Sequence, residues 1–134
     1  MKQTKIWLIT IAVLLCSISA RAHDFEVDGI YYNVTSSTER TVEVTFRGEY
    51  WHYYDEYQGV VKIPSTFFYN GMEYHVVSIG SEAFYGCRGL TSIILPESLT
   101  SIGSKAFYNC WGLTSINFPE GLTSIGFEAF RDCI

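Results

Sequence analysis

Residues 90–112 read LTSIILPESLTSIGSKAFYNCWG and residues 113–133 read LTSINFPEGLTSIGFEAFRDC. Set one under the other, the two lines share Leu-Thr-Ser-Ile at the front, Pro-Glu in the middle, and Leu-Thr-Ser-Ile-Gly, Ala-Phe and Cys behind. The later marks also occur upstream, as Ser-Ile-Gly at 78–80, Ala-Phe at 83–84 and Cys87, so each appears three times at steps of 23 residues. Self-similarity at a fixed period of this length is the signature of a solenoid, in which one repeat cannot bury its own apolar side and must stack on its neighbours.

The repeat also predicts local structure. In Leu113 to Pro119, Ile116 and Phe118 alternate with Ser115 and Asn117, the pattern of a short strand with one buried face. Pro119 ends it, because Pro has no N–H for the ladder. Ser124-Ile125-Gly126 is expected to be a second short extended piece, with the glycine permitting a turn. Ala106, Phe107 and Cys110 sit at spacings of 1 and 3, which predicts about one turn of 3₁₀ or α-helix capped by Ser104. One coil then turns inward Leu113, Ile116, Phe118, Leu122, Ile125, Ala129, Phe130 and Cys133. Earlier coils do the same with Phe84, Cys87, Leu90, Ile93, Leu95, Phe107 and Cys110. The expected architecture is a stack of such coils with rungs ~4.8 Å apart.

A degenerate first rung is expected over 59–80, where VKIPSTF at 61–67 matches IILPESL at 93–99. The nine extra residues, 68–76, hold Asn70-Gly71, a strong hairpin signal because type I′ turns need positive φ at both positions. Before it, DFEVDGIYYNV at 24–34 alternates around Asp28-Gly29, and RTVEVTF at 40–46 alternates Val42, Val44 and Phe46. These strands make residues 23–58 an expected β cap on the end of the stack, with the repeats occupying 59–134. The sequence stops partway through a coil at Ile134, so it is expected to be the opening part of a longer array.

Residues 1–22 have the form of a secretory signal peptide: Lys2 and Lys5, an apolar run from Ile6 to Cys16, and Ala20-Arg21-Ala22 as the cleavage site. That run is shorter than the ~20 residues of a membrane span, so no span is expected in the mature chain. Loss of the leader removes three of nine basic residues and none of the 14 acidic ones, leaving a net charge of −8. So acidic a chain excludes phosphate-backbone binding, and no nucleic-acid partner is expected. Aromatics at 16% against only 17% charged residues exclude disorder.

The pattern L-x-x-I-x-[IL]-P-x-x-[LV]-T-x-I-G-x-x-A-F-x-x-C-x-x-L, present as Leu90-TSIIL-Pro96-ESLTSIGSKAFYNCWG-Leu113, resembles the BspA-like leucine-rich repeat family over about residues 59–134. The segments DGIYYNV and KIPSTFFYNGMEYHVVSIG are similar to the N-terminal region of its secreted members of Bacteroidetes type. The resemblance implies a leucine-rich-repeat solenoid that is secreted or displayed on the outer cell surface. It also implies adhesion or recognition, with a host or bacterial surface protein as partner, and no catalytic residue set, cofactor or metal.

Two surfaces are candidate sites. The first is the outward strand face, with Lys62, Ile94 and Asn117 in one column beside Thr91, Thr114, Ser92 and Ser115. The second is EYWHYYDEY at 49–57, where Tyr50, Trp51, Tyr53, Tyr54 and Tyr57 would form an aromatic platform for a carbohydrate or a protein, since such rings bury much area at low entropy cost. A spacer role, holding another domain away from the cell, is the remaining alternative. Cys87, Cys110 and Cys133 share one repeat position and are expected to be a buried thiol column, with no His spaced as a metal site needs. His23, His52 and His75 are scattered and expected at the surface, and Asn33-Val34-Thr35, though a glycosylation sequon, is expected to be a turn.

Overall fold

The computed structural model of the protein describes residues 23–48 and 56–133. Nine strands follow in chain order: β1 (Phe25–Val27), β2 (Ile30–Ser36), β3 (Thr41–Thr45), β4 (Gly59–Lys62), β5 (Thr66–Tyr69), β6 (Met72–Ile79), β7 (Leu90–Ile94), β8 (Ser101–Ile102) and β9 (Ser124–Ile125). One sheet runs β1-β2-β3-β6-β8-β9 with β5 paired to β6, and β4 and β7 make a second, two-stranded sheet. The chain reverses at Asp28-Gly29 between β1 and β2, and at Asn70-Gly71 between β5 and β6, with positive φ at all four residues as the type I′ turn requires. Asn33 lies within β2 opposite Glu43, so the sequon is strand and not turn. Among the described residues, no helix is long and apolar enough to cross a membrane.

Residues 23 apart lie side by side. Ser78, Ser101 and Ser124 are paired in register, as are Ile79, Ile102 and Ile125, all in parallel. The same spacing stacks Phe84 on Phe107 and Phe107 on Phe130, with centroids 4.9 and 5.1 Å apart and planes within 5°. Phe84 and Phe107 are completely buried, each contributing about 2–3 kcal/mol by burial.

The segments expected to be short helices are not helical. Residues 81–86, 104–109 and 127–132 are turns, with positive φ at Glu82, Lys105 and Glu128 and again at Gly86, Asn109 and Asp132. Only alternate N–H groups bond locally: Ala83 to Gly80, Tyr85 to Glu82 and Cys87 to Phe84. The N–H groups between them point along the stack. Glu82, Phe84 and Gly86 donate to the carbonyls of Ser104, Ala106 and Tyr108 at 2.7–3.0 Å. Lys105, Phe107 and Asn109 donate in turn to Phe127, Ala129 and Arg131 at 2.7–2.9 Å. A 3₁₀ helix would send every N–H back along its own chain; the left-handed residues turn every second one out to the next coil.

The glycine of Ser-Ile-Gly also has a different role from the expected one. Gly80, Gly103 and Gly126 are absent from the positive-φ residues. What they supply is room: a Cβ at Gly103 would lie 2.5 Å from Ser81 N, and one at Gly126 2.4 Å from Ser104 N. The coils touch at this point, backbone to backbone, while Gly103 N–H donates to Ile79 O and Gly126 N–H to Ile102 O, both at 2.8 Å.

Two expectations fail in the last coil. Residues 113–118 do not form a strand, because the segment is not laddered onto β7. Gly112 rests against the carbonyls of Arg88 and Leu90, and beyond it a groove of about 280 Å³ opens between Ser92–Glu97 and Ser115–Pro119. Phe118 and Ile125, expected inside, are 47% and 48% exposed. The Phe118 ring meets Phe130 edge-on at 5.6 Å, and β9 is the outermost strand of its sheet.

Substitution at the contact glycine separates crowding from glycine's flexibility. Gly103→Ala is expected to cost about 3 kcal/mol, because its Cβ meets backbone that has no rotamer to yield. Gly121→Ala, whose Cβ would find its nearest atoms at 3.7 and 3.8 Å, should leave thermal unfolding within about 2 °C of the parent. Calorimetric melting of the two variants checks both.

Candidate functional site

The outward strand face is built by β4 and β7. Their parallel register sets Val60 beside Ser92, Val61 beside Ile93 and Lys62 beside Ile94. The two-residue period buries Ile63 and Ile93 and half-buries Val61, while Val60, Lys62 and Ile94 face out, Ile94 at 49% exposure. Thr91, Thr114, Ser115 and Asn117 are exposed and Ser92 is half-buried. Asn117 and Ile94 line the same groove, together with Ile93, Ile116, Glu97 and Phe118. The face is therefore small polar groups around a few exposed apolar side chains, Ile94 among them, split by a groove. Val60, 67% exposed, belongs to it too; its alternation with Val61 is the sequence signal for that.

Of the aromatic patch, Tyr50, Trp51, Tyr53 and Tyr54 lie outside the described residues. Tyr57 is not a surface ring. It is 3% exposed, its hydroxyl donates to Thr45 O at 2.7 Å and accepts the Tyr31 N–H at 3.1 Å, and its ring packs on Phe84 at 4.6 Å. Burial pushes its hydroxyl well above the ordinary tyrosine value. A phenol that satisfies two backbone groups is a structural joint, although its ring meets Phe84 tilted by 44° where Phe84 and Phe107 lie parallel.

The cysteines form the expected column, unpaired as disulfides. Cys87 and Cys110 are buried and Cys133 half-buried. The Cys110 thiol donates to Phe84 O and the Cys133 thiol to Phe107 O, both at 3.0 Å, joining each coil to the one before it. Burial first, and then the neighbouring Cys87, holds the Cys110 thiol far above its ordinary value, the opposite of what a nucleophile or metal ligand needs. Among the described residues, no three His, Cys, Asp or Glu side chains gather to hold a metal ion. His23 donates from Nδ1 to Arg47 O and packs on Tyr31, and His75 is exposed on β6.

Sequence reading missed a third feature, on the outer side of the turns. Tyr85 and Tyr108 stack at 5.0 Å, Arg88 lies over Trp111 at 4.2 Å, and Glu128 bridges Lys105 and Arg131. The signal was available in the repeat, since positions 85, 108 and 131 form one column and 88 and 111 another.

Parallel coils tied by a repeated turn define a leucine-rich-repeat solenoid. Residues 61–134 match the family described as BspA type leucine rich repeat region, in six copies, and the chain belongs to that family. A leucine-rich repeat protein from Bacteroides ovatus ATCC 8483 is 36% identical, with a TM-score of 0.56 over 83% of this chain and 33% of that one. A leucine rich cell surface protein from Faecalibacterium prausnitzii A2-165 is 26% identical, with a TM-score of 0.63 over 81% of this chain and 27% of that one. The chain thus spans a third or less of the length of these two relatives. No curated protein matches it.

Tyr57→Phe keeps the ring and removes the hydroxyl, leaving Thr45 O and Tyr31 N–H without their buried partner. The expected loss is about 2 kcal/mol, read by denaturant unfolding. A surface tyrosine would lose nothing measurable.

Proposed function

We propose that the protein is a non-enzymatic recognition module, secreted after cleavage at Ala22 and working outside the cell or on its surface, that binds a host or bacterial surface protein through the β4–β7 face. The observation that carries this reading is the pairing of Lys62 with Ile94: a half-exposed apolar side chain beside a cation, bordered by the hydroxyls of Thr91, Ser92, Thr114 and Ser115 and by Asn117. An apolar anchor within a polar rim is the usual anatomy of a protein contact. Membership of a leucine-rich-repeat family, whose stacked strands make extended binding surfaces, and the description of the Faecalibacterium relative as a cell surface protein support the same reading. The carbohydrate platform loses Tyr57, which is buried, and no described residue favours it over the strand face.

The test takes protein secreted with His23 at its N-terminus and measures binding to a panel of matrix and cell-surface proteins, with a glycan array in parallel. Ile94→Asp should weaken protein binding by at least tenfold, about 1.4 kcal/mol, without moving the melting temperature. Binding to glycans alone, or protein binding indifferent to Ile94→Asp, would reject the strand face.

A further inference from the structure

We propose that the outer edge of β4 is a strand-addition site for an extended peptide segment of a partner protein, one carrying a basic side chain. The partner class is that of the proposed function, but the contact is different: it uses the main chain along the edge of β4, whereas the proposed face uses outward side chains.

Gly59 N–H donates to Gly89 O at 2.8 Å and Ile63 N–H to Ile94 O at 3.0 Å. Residues 59 and 63 therefore face β7. By the alternation of a strand, Val60 and Lys62 direct their N–H and C=O groups away from it. Among the described residues β4 pairs with β7 alone, and none of them is laddered to this second edge. Proteins normally cover, twist or charge such an edge, because it is a template for another strand. On β4 such protection amounts to the single charge of Lys62 and a register irregularity between Gly59 and Val60, while Val60 is 67% exposed.

A trough runs beside the edge. One groove of about 270 Å³ lies between Val60–Lys62 and the Asp28–Ile30 turn, with Glu56 at its border. A second, of about 180 Å³, is lined by Val27, Tyr32 and Pro64 and shares Asp28, Ile30 and Lys62 with the first. The two are neighbours, sharing those three residues as a common border. Main-chain groups on one wall would give a peptide its hydrogen bonds, and the mostly apolar second groove would take one of its alternate side chains. The lining sets the carboxylates of Asp28 and Glu56 against the cation of Lys62; Arg47 offsets Glu56, so Asp28, shared by both grooves, is the group that selects a Lys or Arg on the incoming strand.

The probe is a heptapeptide of alternating Thr and Val with a central Lys, blocked at both ends. One twin has Glu at the centre, and another carries N-methyl groups on alternate peptide nitrogens. By titration calorimetry the Lys probe should bind, and the N-methylated and Glu twins should bind at least about tenfold more weakly. Val60→Pro removes an outward N–H and none of the bonds to β7, which an edge strand tolerates; it should keep the melting temperature and lose about tenfold in affinity. Failure of the Lys probe to bind, equal binding of all three peptides, or unchanged affinity in Val60→Pro overturns the proposal. Should Val60→Pro not fold, the Val60 amide of the unmodified chain decides: it must shift and slow its hydrogen exchange when the Lys probe saturates, and an unmoved amide rejects the site. Ile94→Asp separates the two surfaces. It should leave probe binding intact even where it abolishes binding through the face, and loss of the probe with it would place the contact on the face and refute the edge.

Discussion

The row of N–H groups that each turn sends to the next coil constrains everything else in the molecule. Glu82, Phe84 and Gly86, then Lys105, Phe107 and Asn109, supply it. For every second N–H to leave its own chain, the backbone must enter the left-handed region twice per turn. Asn109 and Asp132 tolerate that region better than most residues, while Glu82, Lys105 and Glu128 occupy it at a cost of order 1 kcal/mol each. The cost is sustained because the same geometry brings coils into register at about 5 Å. At that distance the phenylalanines stack, the Cys110 and Cys133 thiols reach the preceding coil's carbonyls, and no Cβ fits at Gly103 or Gly126.

The N-terminal strands obey the same rule without sharing the repeat. Val44 O accepts from Gly80 N–H at 2.8 Å, as Ile79 O accepts from Gly103 and Ile102 O from Gly126. Val42 and Val44, completely buried, stand beside β6 as β6 stands beside β8. Tyr57 then covers Phe84 with a tilted ring. Strand β3 and one tyrosine together reproduce, for the first complete turn, the surface that each later coil receives from the coil before it.

Much of this was legible in the sequence, and the limits have physical causes. The 23-residue period carried the stack, the Ser-Ile-Gly extended pieces and the cysteine column, because side chains that touch across coils must recur at one position. Asn70-Gly71 marked a chain reversal because few other residue pairs accept its dihedral angles. The turn was misjudged as helix because Ala, Phe and Cys at spacings of 1 and 3 face inward in either conformation; what differs is where the N–H groups go, which no side-chain pattern records. Gly126 was credited with flexibility where the need was space, and both demands select the same residue. Tyr57 sat in a run of rings whose composition does not say which one turns inward. Phe118 and Ile125 were assigned inward by repeat position, but burial in a solenoid depends on the coil above as well as on the residue.

The strand face and the second edge of β4 follow from the same architecture. The stack fixes the backbone of β4 and β7 through contacts that leave their outward side chains out of the core. Native-state amide hydrogen exchange tests most directly whether the turn ladder holds the stack. If it does, the Phe84 and Phe107 amides exchange only with global unfolding, about a thousandfold or more slower than that of Phe130, whose N–H has no partner among the described residues. Exchange at Phe107 as fast as at Phe130 would contradict it.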